Sequence, residues 1–174
     1  VMEYVEGIPI SNTAKLIERG YDLEEIGRKV LDNYATQILD HGFFHADPHP
    51  GNMLIRGGQV IYIDLGIMGR LSARDRAGFG NIISAVGKQD AADLKDALIA
   101  FAASKDIEAI DHTRLLADLD SILKDYGSCD VSEIDIGQFL TDILALTRSC
   151  KVTLPSSITS VSRGIVTLEG TIAP

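Results

Sequence analysis

The sequence predicts an α+β fold that is mostly helical and carries one small β-hairpin. From Ser72 onward, the chain consists of segments with helical hydrophobic spacing that begin at capping residues. Before them, Met53–Ile55 and Val60–Ile63 are short apolar runs separated by Arg56-Gly57-Gly58-Gln59. Two such runs joined by a glycine turn are typical of an antiparallel hairpin.

The first forty residues predict a strand and two helices. Val1–Val5 has the composition of a short strand, and Ser11 can cap a short helix that ends at Gly20. Asp22-x-x-Glu25 is a plausible capping box for a longer helix that should end at His41-Gly42. Apolar side chains recur at helical spacing along this longer helix, at Leu23, Ile26, Val30, Tyr34 and Ile38.

Residues 43–52 contain two prolines and a glycine, so we expect neither helix nor regular strand there. After the hairpin, residues 72–171 are expected to form a helical body. The predicted helices are a segment from Ser72 to Gly87 with a cap at Ser72 and Asp75, Ala91–Ala102 capped by Asp90, Thr113–Tyr126, Ile134–Ser149, and Ser156–Gly170.

Composition limits the classes of function. The net charge of −9 argues against a nucleic-acid-binding surface, which needs clustered lysine and arginine. No apolar run approaches the length of about 18 residues that spans a bilayer. Cys129 and Cys150 lack metal-like spacing, so a reduced compartment is expected, with a disulfide between them as the alternative. The chain lacks an initiator methionine, so we expect a fragment of a longer protein.

The polar residues around the hairpin indicate phosphate chemistry. Asp47 lies in the proline-rich loop, Asn52 ends that loop, and Asp64 follows the return strand. A hairpin brings its two ends together, so Asn52 and Asp64 should be neighbours and could supply oxygen ligands to Mg²⁺. Gly66 should let the chain turn away after Asp64. Asp47 would then lie close enough to accept a proton from a nucleophile.

This order and spacing resemble the protein-kinase active site. His45-Ala46-Asp47, Asn52 and Asp64-Leu65-Gly66 stand where kinases have His-Arg-Asp, a later asparagine and Asp-Phe-Gly. His49 falls where kinases carry a lysine that meets the transferred phosphate, so the resemblance implies a catalytic role as a hydrogen-bond donor to that phosphate. His45 has two interpretations, structural packing beneath Asp64 or direct catalysis, and we favour the first.

The resemblance extends to the nucleotide. Met2-Glu3-Tyr4-Val5 is similar to the kinase hinge, which implies that Met2, Glu3 and Val5 hold the adenine of ATP. Leu54 matches the apolar floor of the adenine pocket. Residues 1–174 would thus be the carboxy-terminal lobe of a kinase-like protein, with residues 1–7 as hinge. The amino-terminal lobe, with its phosphate-gripping lysine, would lie before Val1.

The strongest resemblance is to the UbiB family of atypical kinases. It is carried by Phe44–Asn52, by Ile63–Leu71 and by Thr167-Leu168-Glu169-Gly170, and covers essentially the whole chain. It implies ATP and Mg²⁺ as cofactors, a link to ubiquinone-type isoprenoid lipid metabolism, and isoprenoid lipids or quinone-pathway proteins as partners. It also implies a cytoplasmic-side location, with any membrane association through parts outside this chain. Ala46 replaces the arginine that pairs with phosphorylated activation loops, and Leu65 replaces phenylalanine.

Two alternatives to an ATP-dependent phosphotransferase or ATPase stay open. One is a nucleotide-responsive module that binds lipid or a partner with little turnover. The other is a small-molecule kinase of the aminoglycoside or choline type. A peptide kinase is disfavoured because almost no chain separates Gly66 from the helix cap at Ser72, where protein kinases place their peptide platform.

Overall fold

The computed structural model describes residues 3–103, 108–127 and 136–172. These residues are mostly helical with small antiparallel sheets, which confirms the predicted α+β class. The chain divides into two compact units. The first comprises Val1–Arg70 with Arg163–Pro174, and the second comprises Leu71–Ser162.

The first unit contains two small antiparallel sheets. The strands β1 (Ile8–Pro9), β3 (Met53–Arg56) and β4 (Gln59–Tyr62) form one sheet in the order β1-β3-β4. Met53 pairs with Tyr62 and Arg56 with Gln59, so the predicted hairpin is confirmed. Its turn has φ of 56° at Gly57 and 74° at Gly58, the paired positive values that make glycine the favoured residue in a two-residue hairpin turn.

The second sheet was not expected from the sequence. Strands β2 (Phe43–His45) and β5 (Met68–Arg70) pair with Phe44 opposite Gly69. A Cβ atom at position 69 would collide with the ring of Phe44, which is fully buried. The prediction that residues 43–52 exclude strand and helix was therefore wrong. The prolines begin only after β2, and Pro50 takes the first position of a 3₁₀ turn (Pro50–Asn52), where no N–H is needed.

Two helices precede this sheet. Helix α1 (Thr13–Glu18) is capped by Asn12 rather than by Ser11, since Asn12 Oδ1 accepts the Lys15 N–H at 3.1 Å. Helix α2 (Leu23–Thr36) is capped by Asp22, while the predicted return contact from Glu25 is replaced by an ion pair of Glu25 with Lys29. The helix continues as a π-helical segment (Gln37–His41). The left-handed Gly42, with φ of 62°, ends it where the sequence predicted.

The predicted strand at Val1–Val5 is wrong for its described part. Glu3, Tyr4 and Val5 are irregular, and strand pairing begins only at Ile8. Val1 and Met2 lie outside the described residues. The pairing starts there because Ile8 lies opposite Ile55 and Pro9 lies opposite Leu54 of the hairpin.

The second unit is built from α3 (Ala73–Gly87), α4 (Ala91–Phe101), α5 (His112–Gly127), α6 (Ile136–Ser149) and the first part of α7 (Ser156–Ile172). The predicted cap of α3 is a full capping box between Ser72 and Asp75, and Asp90 caps α4. Aliphatic side chains form its core, at Leu94, Leu98, Ile110, Leu115, Leu119, Leu123, Ile143, Leu146 and Val152, together with Ala85, Phe139 and Cys150.

Cys150 is a buried free thiol, and its proposed alternative partner, Cys129, lies outside the described residues. Within the described part of the chain, no helix is long and apolar enough to cross a membrane.

Candidate active site

The hairpin brings Asn52 and Asp64 to the same end of the sheet. The Ile63 N–H donates to the Asn52 carbonyl at 3.0 Å, one step beyond the Met53–Tyr62 pair. Asp64 follows directly and is exposed, whereas Asn52 is buried. This geometry agrees with the prediction that the hairpin brings Asn52 and Asp64 close together.

Asp47 has a fixed main chain and an unoccupied carboxylate. Its N–H donates to His45 Nδ1 at 3.2 Å, and its carbonyl accepts the His49 N–H at 2.9 Å and Asn52 Nδ2 at 3.2 Å. No described residue bonds to the Asp47 carboxylate, which belongs to a half-buried residue. A carboxylate held in place through its backbone is preorganised to accept a proton from a substrate.

His45 ties this loop to Asp64. Because Nδ1 accepts the Asp47 N–H, the ring proton is on Nε2, which donates to the Asp64 carbonyl. The ring is only 2% exposed and stacks on Tyr62 with ring centroids 5.3 Å apart. Both ring nitrogens are thus occupied within the protein, so the structure agrees with the structural interpretation of His45.

Side chains of α2, of the π-helical segment that follows it and of β4 support His45. Tyr34 donates its hydroxyl to the His45 carbonyl at 3.0 Å, and Gln37 Oε1 accepts the His45 N–H at 2.9 Å. Burial, and secondarily the neighbouring Tyr62, raises the pKa of Tyr34 well above its usual range. Burial also raises the pKa of Tyr62. Both phenols therefore stay neutral at physiological pH, and Tyr34 remains a donor to His45.

Gln37 is available for this contact because it opens the π-helical segment of α2. Its Nε2 donates to Asn33 Oδ1 at 2.7 Å, which fixes the amide so that Oε1 faces His45. A π-turn inserts an extra residue and changes the direction of the side chains that follow, and such turns are frequent at functional sites.

The last helix also reaches this support. A Cβ atom at Gly164 of α7 would overlap the Tyr34 hydroxyl and lie 3.7 Å from the His45 carbonyl. Only glycine allows α7 to approach the Tyr34–His45 hydrogen bond this closely. Gly164 could not be singled out from the sequence, because it lies more than a hundred positions from its partners Tyr34 and His45.

We therefore expect Gly164→Ala to destabilise the protein by about 2 kcal/mol or more. The methyl group must displace the Tyr34 hydroxyl, which overpacks the helix contact and leaves the buried His45 carbonyl without its donor. Gly170→Ala on the same helix is the matched control, because a Cβ atom there meets no atom within 4 Å. Urea unfolding of both variants measures the difference, and equal stabilities would contradict this assignment.

Asn52 and Asp64 present oxygens that suit a Mg²⁺ ion. The Asn52 amide donates through Nδ2 to Asp47, which leaves Oδ1 without a hydrogen-bond partner among the described residues. Asp64 Oδ1 accepts the Gly66 N–H at 2.8 Å, and its other oxygen has no such partner in the described chain. Mg²⁺ usually takes one or two protein oxygens and completes its shell with water and phosphate.

The described residues do not form a metal site made only of protein side chains. No cluster of three or more His, Cys, Asp or Glu side chains suited to a metal occurs in the described ranges. One amide and one carboxylate fit an ion that arrives with a phosphorylated ligand, and they do not form a closed protein cage.

Gly66 lies at a bend where the chain turns away after Asp64, as the sequence predicts. Its φ is not in the left-handed region, and a Cβ atom there would lie 3.0 Å from Asp64 Oδ1. The value of glycine at this bend is close approach, because it lets the main-chain N–H reach the carboxylate.

His49 is exposed and closes the loop. Its Nδ1 accepts the Gly51 N–H at 3.0 Å, so Nε2 carries the proton and can donate outward. This tautomer is compatible with the predicted contact to phosphate.

The predicted hinge comes close to the predicted adenine floor. A Cβ atom at Gly7 would lie 2.8 Å from Leu54 Cβ, so glycine lets the segment lie directly against half-buried Leu54. Glu3 is exposed, Val5 is half-buried, and neither main chain makes a hydrogen bond to the described residues. Their backbone groups are therefore available to a ligand, while Met2 lies outside the described residues.

Comparison with known proteins decides the family. The model of the ABC1 atypical kinase-like domain matches residues 1–98, which include Asp47, Asn52 and Asp64. The chain belongs to the ABC1 atypical kinase-like family. The predicted resemblance to UbiB-type atypical kinases is thereby confirmed.

The chain is similar to curated proteins of a plant and of a bacterium. The chain is 33% identical over 178 residues to Protein ACTIVITY OF BC1 COMPLEX KINASE 7, chloroplastic, of Arabidopsis thaliana, covering 97% of this chain and 24% of that protein. It is 44% identical over 92 residues to the corresponding kinase 8, covering 51% of this chain and 12% of that protein. An uncharacterized protein in the hydrogenase 1 5′ region of Clostridium pasteurianum is 34% identical over 173 residues, covering 99% of this chain and 32% of that protein. The ABC1 chain thus spans a third or less of the length of these relatives.

Proposed function

We propose that this chain carries the catalytic loop and the metal-binding aspartate of an ATP- and Mg²⁺-dependent phosphotransferase or ATPase. The observation that carries the proposal is the arrangement of Asp47. Its main chain is fixed by His45, His49 and Asn52, while its carboxylate has no partner among the described residues.

Each residue has a distinct task in this proposal. Asp64 and Asn52 Oδ1 hold Mg²⁺, which neutralises charge on the phosphates of ATP when bound. Asp47 accepts the proton of the attacking hydroxyl or water, and His49 donates its Nε2 proton to a phosphate oxygen. The main-chain groups of Met2, Glu3 and Val5 hold the adenine, with Leu54 as its apolar floor. His45, Tyr34 and Gln37 are positioning residues that hold the main chains of Asp47 and Asp64 at a fixed distance from each other.

We further propose that the whole protein supports isoprenoid-quinone metabolism on the cytoplasmic side of a membrane. The support is the family resemblance, together with two exposed apolar residues beside the metal-binding aspartate. Leu65 is 53% exposed and Ile67 is 61% exposed. These two side chains are compatible with an apolar acceptor or regulator, and the family resemblance carries the proposal.

The test compares residues 1–174 with the full-length protein. Kinase-like sites close over adenine from two sides and use a lysine from another lobe, so we expect the isolated chain to bind ATP poorly and to hydrolyse it negligibly. The full-length protein should bind ATP in Mg²⁺ and lose that binding in EDTA. Isothermal titration calorimetry and phosphate release measure both. If EDTA leaves ATP binding by the full-length protein unchanged, the proposed metal site is contradicted. Robust Asp47-dependent turnover by residues 1–174 alone would contradict the proposal that a second lobe completes the ATP site.

A further inference from the structure

A surface cavity lies within the helical unit Leu71–Ser162. It has a volume of about 400 Å³ and is lined by the end of α6, the start of α7 and the segment that joins them. That volume falls in the range that holds small organic ligands. Nothing in the kinase-like site accounts for this cavity, because Asp47, Asn52 and Asp64 belong to the other unit.

Two cations line the cavity without an acidic partner. Arg148 and Lys151 both border it, and neither makes an ion pair or hydrogen bond through its side chain with the described residues. Several other cations of the same unit are paired with aspartates, as Arg114 is with Asp118 and Lys124 with Asp120. In a chain with a net charge of −9, two neighbouring cations without a carboxylate leave a local site for an anion.

Lys151 also occupies a position that normally favours glycine. Its φ is 63°, in the left-handed region. The Val152 N–H donates to the Thr147 carbonyl at 2.8 Å and the Lys151 N–H to the Arg148 carbonyl at 3.1 Å, which is the Schellman pattern at the end of α6. A lysine here carries a backbone cost that glycine avoids.

The opposite side of the cavity offers hydroxyls and apolar surface. Ser156 and Thr159 of α7 line it, and neither hydroxyl has a hydrogen-bond partner in the described chain. Leu144 and Leu154, both half-buried, add apolar contact. Two cations, two hydroxyls and an apolar wall match a phosphate group attached to a small organic body.

We propose that this cavity binds a small phosphate monoester, with Arg148 and Lys151 contacting the phosphate and Leu144 and Leu154 contacting the organic part. A monoester is nearly dianionic at neutral pH, so it can engage both cations at once. The site needs no Mg²⁺, which separates it from the proposed ATP site.

The test titrates phenyl phosphate and inorganic phosphate into the full-length protein in EDTA, by calorimetry. We expect phenyl phosphate to bind more tightly than inorganic phosphate, because only the ester reaches the apolar wall. Arg148→Gln and Lys151→Gly should each weaken phenyl phosphate binding about tenfold, the value of one charge-assisted contact. Lys124→Gln is the control, since Lys124 is an exposed cation of the same unit that pairs with Asp120.

Lys151→Gly adds a second readout. Glycine suits the positive φ, so this variant should have a higher Tm than the wild type while it binds phenyl phosphate less well. Weakened binding in a more stable protein excludes unfolding as the cause. The proposal is overturned if the wild type does not bind phenyl phosphate in EDTA, or if Lys124→Gln weakens binding as much as the two cavity variants. Unchanged binding in Arg148→Gln and Lys151→Gly would likewise overturn it.

Discussion

Asp64→Asn in the full-length protein is expected to lower the Mg²⁺-dependent affinity for ATP by more than about 100-fold. Changes to outer-shell partners of a metal already cost about 10- to 100-fold, and this change removes the main anionic ligand itself. The fold should survive, because Asp64 is exposed and an asparagine Oδ1 can still accept the Gly66 N–H. Calorimetric titration with Mg·ATP measures the loss.

Two further variants serve as comparisons for the Asp64→Asn measurement. Asn52→Ala should weaken metal affinity less, because a neutral ligand is lost, although it also removes the Asn52–Asp47 hydrogen bond. Asp32→Asn removes an exposed carboxylate from α2 and should leave Mg·ATP affinity unchanged. Wild-type affinity in Asp64→Asn would refute the metal assignment.

Asp47→Asn is expected to reduce ATP turnover by about 10²- to 10⁴-fold while Mg·ATP binding largely survives. That range is the usual contribution of a positioned general base. Binding survives because the metal is assigned to Asp64 and Asn52 and the adenine to the hinge. The substitution is nearly isosteric, and the main-chain bonds of Asp47 to His45, His49 and Asn52 do not involve its carboxylate.

The comparison of rate and affinity separates catalysis from folding. A pre-steady-state measurement of phosphate release gives the rate, and calorimetry on the same sample gives the affinity. His49→Gln should reduce the rate less, because only one neutral donor is lost. If Asp47→Asn turns over ATP at the wild-type rate, Asp47 is not the base.

Local signals made much of the fold predictable. The cap at Ser72 and Asp75, the glycine at position 42 and the Gly57-Gly58 turn each depend on residues within a few positions of one another. The order Asp47, Asn52 and Asp64 was visible for the same reason, because a hairpin of known length fixes which ends meet.

Contacts between distant segments were not predictable in this way. Strand β2 forms only because Phe43–His45 pairs with Met68–Arg70, and Phe44 fits only because position 69 is glycine. Tyr34 looked like an ordinary member of an apolar helical stripe, yet its hydroxyl supports the His45 carbonyl. Gln37 gave no signal, since its direction depends on the π-helical segment. Partners so far apart in sequence leave no periodicity to detect.

The main rival hypothesis is a nucleotide-responsive binding module. Such a module would need Asp64 to hold Mg·ATP but would not need a base. The carboxylate of Asp47, which has no partner among the described residues, favours the enzyme, because a module has no use for a proton acceptor in that position.

Complementation by the Asp47→Asn variant of the full-length gene, in a strain that lacks the gene, tests the enzyme hypothesis most directly. Asp64→Asn serves as the variant without metal binding and Asp32→Asn as the neutral control, with all proteins expressed at equal levels. Our account predicts that Asp47→Asn and Asp64→Asn both fail to restore growth while Asp32→Asn restores it. Growth restored by Asp47→Asn, in a protein that binds Mg·ATP but no longer turns it over, would contradict the enzyme and establish the nucleotide-responsive module.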